Sequence, residues 1–320
     1  MTIRKRLFMN RSKALLKGVF STDIYTGATP PVSIVNDVDL LNETGVQFFK
    51  RRNASSYPIF YNGAVAGGYA YLTCSSGGDG SVVGTAFDIG DWTEIGIDIT
   101  TTDVNINESG GTYVVHTFRE SPKFFDYSPS VPVTSDNTIA FADLETIGMV
   151  VCFDVTGNSF FVWHRSLTSG KLLKLNTNAE EATLGAITVS GTDVTLHAAD
   201  IASPTVVDVM AFAHDASTLG KIVCGSYPGN GSITGPIVTT GMEPKYIMIK
   251  RSIGGTGDWV VVDSERGISE TGNDAVTRLN SSAAESSEDL LKVNSNGFQL
   301  TSTDTDVNAN GSTYVYMVIH

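Results

Sequence analysis

Five histidines, three cysteines and 34 acidic residues are the groups with which this 320-residue chain could do chemistry. His116, His164, His197, His214 and His320 never stand two or four positions from another His or Cys. Zinc favours that clustering, so core or surface roles are expected for all five. Cys74, Cys152 and Cys224 are far apart and form no C-x-x-C pair, which predicts buried, reduced thiols. Asp263-Ser264 sets a hydroxyl beside an acid, but the strained G-x-S-x-G elbow of a serine hydrolase is absent. Glu94, Asp98 and Glu108 are acids of the kind that a carbohydrate-active enzyme needs as a facing pair, and no spacing singles out two of them. No catalytic residue is expected, and the chain reads as not an enzyme.

Binding chemistry is the alternative. Asp98, Asp103, Asn105 and Asn107 supply hard oxygens suited to calcium, yet alternating Asp and Asn also cap turns. The recurrence of Asp103-Val104-Asn105 as Asp306-Val307-Asn308 favours a shared turn, so no cofactor is expected, although calcium is an ion these residues could take. Gly-Asp-Trp occurs at residues 90–92 and 257–259, but at different points of the repeat described below. Trp163 and Trp259 follow glycine turns and are expected to be core anchors, whereas Asp91 and Trp92 form a candidate sugar platform. Lys50-Arg51-Arg52 and Lys250-Arg251 end apolar runs. As strand ends they would be solvated, or Lys50, Arg51, Lys250 and Arg251 would contact an anionic glycan or a neighbour's acidic face.

These groups need a scaffold, and its nature is written in composition. Charged residues are only 17% of the chain, with 32 glycines among many Ser, Thr, Asn and Val, the usage of short strands joined by tight turns. The net charge is −13, while Arg4, Lys5, Arg6, Arg11, Lys13 and Lys17 are six of the 21 basic residues and have no acid among them. The acidic remainder repels phosphate backbones, so no nucleic-acid partner is expected. Leu7-Phe8-Met9 is interrupted by Asn10-Arg11 before a signal-peptide apolar region develops, and no apolar run has membrane-spanning length. Helix is expected at most over Lys5–Lys17, where it would be marginal without a partner. Residues 1–18 are read as a basic anchor.

Self-similarity organises the rest. Gln47–Arg52 matches Ile247–Ser252, and Gly111-Thr112-Tyr113-Val114 matches Ser312-Thr313-Tyr314-Val315. A diverged middle copy runs from Met149–Phe153 through Leu175–Glu180, which echoes Leu279–Glu285, to Val206–Phe212. Units at 19–119, 120–216 and 217–320 follow, each with six or so short strands between glycine turns, which predicts an all-β chain of three tandem antiparallel sandwiches. Along Tyr314–Ile319 both alternating sets are apolar, which predicts a strand covered on two faces.

The ordered set Gly225–Ser232, Pro244–Ser252, Gly257–Gly267, Leu279–Glu285, Ser295–Leu300 and Val307–Met317 resembles the repeated lectin-like sandwich domain of structural proteins of aquatic tailed bacteriophages. The third unit carries the likeness over nearly its whole length, the first at both ends and the second weakly. The resemblance implies a concanavalin-like or jelly-roll sandwich in a virion component without enzyme activity. On that basis the expected function is a tail-associated fibre or receptor-binding protein contacting host-surface glycans, with a capsid-decoration protein as the alternative. The expected partners are other virion proteins and copies of itself, at a virion surface after synthesis in the host cytoplasm. A carbohydrate-active enzyme and a secreted adhesin are the rival readings.

Overall fold

The structure is a computed structural model, and it describes residues 17–62, 69–72, 89–154, 159–201, 205–217, 220–268 and 272–320. Among these, the one helical element is a 3₁₀ turn at Ala142–Leu144, and the remaining elements are strands. The chain is all-β, and its sheets are antiparallel. The expected N-terminal helix, and five of the six basic residues assigned to the anchor, lie outside the described residues.

The strands fall into three runs with the same wiring. The first comprises β1 (Phe20–Thr26), β2 (Val32–Val35), β3 (Gly45–Arg51), β4 (Ile59–Asn62), β5 (Tyr69–Leu72), β6 (Gly90–Thr93), β7 (Gly96–Ile99) and β8 (Thr112–Arg119). The second comprises β9 (Phe125–Val133), β10 (Asn137–Ala140), β11 (Ile147–Asp154), β12 (Ser159–His164), β13 (Leu173–Lys174), β14 (Ile187–Ser190), β15 (Asp193–Leu196) and β16 (Thr205–Ala213). The third comprises β17 (Ile222–Pro228), β18 (Ile237–Thr239), β19 (Tyr246–Ile253), β20 (Val260–Asp263), β21 (Asp274–Arg278), β22 (Ser286–Glu288), β23 (Leu291–Asn294), β24 (Gly297–Leu300) and β25 (Thr313–Ile319).

Each run makes one large and one small sheet. The large sheets have the orders β1-β8-β3-β4-β5, β9-β16-β11-β12-β13 and β17-β25-β19-β20-β21-β22, and the small ones β2-β7-β6, β10-β15-β14 and β18-β24-β23. Apart from the extra β22, the connectivity is identical. Gly96 and Gly297 hold matching places at the starts of β7 and β24, with φ of +151° and +147°. A Cβ there would collide with the carbonyl oxygens of Ile34 and Val238, so both positions require glycine.

The period of two along the strands sorts side chains between two cores. In β25, Tyr314, Tyr316 and Val318 pack on the small sheet, together with Phe298 and Leu300. Val315, Met317 and Ile319 point the other way, into a core shared by all three runs. In the first run, Phe49, Ile59 and Tyr61 meet the small sheet, while Phe48, Phe60 and Phe118 enter the shared core. Phe118 lies 5.5 Å from Phe212 and 6.2 Å from Tyr246, ring centre to ring centre, so one side chain of each run meets there. The double-sided apolar pattern of β25 thus reflects a sandwich on one face and neighbouring sandwiches on the other.

Candidate functional site

The polar groups that reach from one sheet pair to another form the most developed constellation among the described residues. Lys50 and Lys250 occupy the same register, opposite Val114 in β8 and Val315 in β25. Both are buried. The Lys50 ammonium donates to the carbonyls of Ser56 and, at 3.1 Å, Ser281, the latter in the third run. The Lys250 ammonium donates to Asn178 and Ala179 of the second run at 3.2 and 2.8 Å, and to Arg251 at 2.9 Å. Burial lowers the Lys250 pKa to about 8. In the second run the equivalent register, opposite Asp208, holds the buried Phe153 in place of a lysine.

Backbone bonds repeat the same docking. The Glu285 amide donates to the Arg52 carbonyl and the Glu181 amide to the Ser252 carbonyl, both at 2.9 Å. The Ser56 amide donates to Ser282 at 2.8 Å and the Gly257 amide to Asn178 at 2.9 Å. The segments Leu175–Glu181 and Leu279–Glu285 are therefore sockets, one filled by the third run and one by the first. Trp259 strengthens the first socket: it is fully buried, and its indole N–H donates to the Lys174 carbonyl at 3.0 Å.

A buried charge network closes the first run on the third. His116 Nε2 lies 3.0 Å from Asp263 Oδ2. Arg266 donates to Asp263 through Nε at 2.7 Å and through its backbone amide at 3.0 Å, and reaches Glu285 at 3.2 Å. Glu285 in turn accepts two bonds of 2.8 Å from Arg52. Burial opposes ionisation of Asp263, but Arg266 and His116 outweigh it and hold the carboxyl below its ordinary range. Burial depresses the His116 pKa despite that carboxylate, so the imidazole is neutral at neutral pH. A His–Asp pair of this geometry could orient a general base. Here the side chains of His116, Asp263 and Arg266 are 4%, 0% and 0% exposed, and the pair seals an interface.

The other two contacts use the same strands. From β4, Asn62 donates to Asp208 of β16 at 2.6 Å and contacts the Tyr127 hydroxyl. His164 at the end of β12 lies 3.1 Å from the Tyr316 carbonyl of β25, and burial lowers its pKa to about 4. Thus β4 reaches β16, β12 reaches β25 and β20 reaches β8.

The residues expected to touch ligand are placed differently. Lys50 and Lys250 are not solvated strand ends: their ammoniums are spent on carbonyls of their own and of neighbouring runs, because the sockets cover the strand ends. Arg51 pairs with Glu108 and reaches the Val104 carbonyl at 3.4 Å, while Arg251 donates to Thr256 at 3.2 Å and to Gly254, so each holds its own loop. Trp92 is half-buried, with its N–H on Gln47 Oε1 at 3.2 Å and its ring edge-to-face with Tyr61 at 5.7 Å. It packs in the first sandwich instead of offering an open face, whereas neighbouring Asp91 is exposed. Lys17 is exposed with Asp37 at 3.7 Å, and Arg4, Lys5, Arg6, Arg11 and Lys13 lie outside the described residues.

The Asp/Asn segments are turns, in a register other than the sequence match implies. Asp103 accepts the Asn105 amide at 2.8 Å, and Asp304 accepts that of Asp306 at 2.7 Å. Asn107 and Asn308 each donate to a carbonyl six residues back, Thr101 and Ser302, at 2.8 Å. Asp103 therefore corresponds to Asp304, not Asp306. Among the described residues no three His, Cys, Asp or Glu side chains are grouped so as to hold a metal ion.

His116, Asp263, Arg266 and Glu285 were not legible as a unit in sequence. The available signal was a single polar residue inside an apolar strand, as with His116 in Tyr113–Phe118 and Asp263 after Val260–Val262. No curated protein matches the chain. Residues 134–320, more than half its length, match the model of the family described as Domain of unknown function (DUF7483), and the chain belongs to that family.

Proposed function

We propose that the chain is a non-enzymatic structural protein of a bacteriophage virion, a tail-associated fibre or receptor-binding component that sits at the particle surface and contacts host-surface glycans. The observation that carries this reading is the use of its reactive groups. Lys50, Lys250, His116, His164 and Asp263 are all buried and all bond across sheet pairs, and buried Arg266 holds Asp263 in place, so chemistry-bearing side chains serve cohesion. The ordered sequence likeness to phage structural sandwiches supplies the virion context. A head-decoration role is the second reading, favoured by one feature: the three sheet pairs close on one another instead of extending in a row as a fibre segment would.

The test is mass spectrometry of purified particles with labelling of the chain in electron micrographs, alongside a reducing-sugar assay of the purified protein on host polysaccharide. Label on the tail supports the first reading and label on the head the second. Absence from particles, or sugar release abolished by changing one carboxylate, would overturn the proposal.

A further inference from the structure

The contacts between sheet pairs repeat by rotation. The fourth strand of each run meets the eighth-strand equivalent of the next: Asn62 of β4 meets Asp208 of β16, His164 of β12 meets the Tyr316 carbonyl of β25, and Asp263 of β20 meets His116 of β8. Three steps return to the start. The socket bonds follow the same operation, since Glu285–Arg52 and Glu181–Ser252 are one backbone bond made twice at the same 2.9 Å. An arrangement in which each unit uses one surface toward the next and another toward the previous is heterologous, and it closes at three only when the step is about one third of a turn. The chain is thus built as a trimer within a single polypeptide.

Its two ends are defined by strand pairing. Phe20 pairs with Phe118, Phe125 with Phe212 and Ile222 with Ile319, so chain entry, both crossings between runs and His320 share one end. The opposite end carries three matching turns. Ile106 and Asn107 donate to Asp103, Asp200 and Ile201 to His197, and Val307 and Asn308 to Asp304, with lengths from 2.6 to 3.2 Å.

We infer that this protein seats on a threefold or quasi-threefold axis of its particle, over three copies of one partner subunit, with the chain-entry end toward them. The inference rests on the virion reading. When the axes coincide, three sheet pairs of one wiring face the three copies in like orientation, and the second and third contacts form at high effective concentration. Off an axis, one sheet pair at most finds its matching surface. Because the unit-to-unit surfaces are consumed internally, one polypeptide occupies a place that three separate subunits would otherwise fill.

The experiment is cryo-electron microscopy of particles containing the full chain, with symmetry relaxed around its density and copy numbers counted by quantitative mass spectrometry. The expected result is one chain on a threefold or quasi-threefold axis at a ratio of one chain to three partner subunits. Chain density in the particle at a twofold, fivefold or asymmetric place, or three chains per axis, overturns the inference and leaves the virion reading intact. Particles without the chain overturn the virion reading itself.

Discussion

Lys50 and Lys250 stand at one register in two sheets, yet each gives its ammonium to a different neighbour, Ser281 for the first and Asn178 with Ala179 for the second. The same side chain thus ties two separate interfaces. Lys250→Ala removes the donor to three carbonyls inside the protein and leaves space behind. It is expected to destabilise by about 2–4 kcal/mol, read from the midpoint of denaturant unfolding. An unchanged midpoint would contradict the buried role.

Asp263 is the acceptor that holds Arg266 and His116 together across the first and third runs. Asp263→Asn leaves the Arg266 guanidinium buried with its charge only partly answered by Glu285, 3.2 Å away. Breaking one partner of a buried pair costs about 3–5 kcal/mol. The expected signature is a lower unfolding midpoint together with faster protease cleavage, and wild-type values in both would show the network to be dispensable.

Acid should loosen the molecule by forcing buried imidazoles to ionise. His164 is held at about 4 by burial and His116 is displaced in the same direction, whereas in the unfolded chain both titrate near the ordinary 6.5. The unfolded state therefore binds more protons between those values. Stability present above about pH 6.5 falls as pH drops toward 4, by on the order of 3 kcal/mol for His164 alone. Thermal midpoints measured from pH 7.5 to 4.5 check this. His164→Gln should flatten the slope, and a midpoint that rises on acidification would refute the assignment.

Deleting residues 1–18 removes Arg4, Lys5, Arg6, Arg11, Lys13 and Lys17, of which Lys17 makes only an exposed contact with Asp37. A chain starting at Val19 should keep its β circular dichroism and lose co-sedimentation with particles lacking the protein, and added salt should weaken the full chain's binding. Full incorporation of the shortened chain would exclude the anchor.

What sequence determined by itself was the class of structure. Alternation in Tyr314–Ile319, apolar on both sides, announced a strand covered on two faces, and short apolar runs between glycines announced antiparallel sheets. These are local properties, set by the period of two and by turn chemistry. Register was less secure: spaced Asp and Asn residues recur every second position, so Asp103 could be matched to Asp306 when its hydrogen bonds match it to Asp304. Only tertiary structure decided the fate of the charged groups. Lys50 reads as a solvated strand end until Ser281, 231 residues away, covers it, and His116 reads as an isolated core residue until Asp263, 147 residues away, meets it. Burial of a charge depends on the neighbour that desolvates and pairs it, and here that neighbour belongs to another sheet pair, which no local pattern specifies.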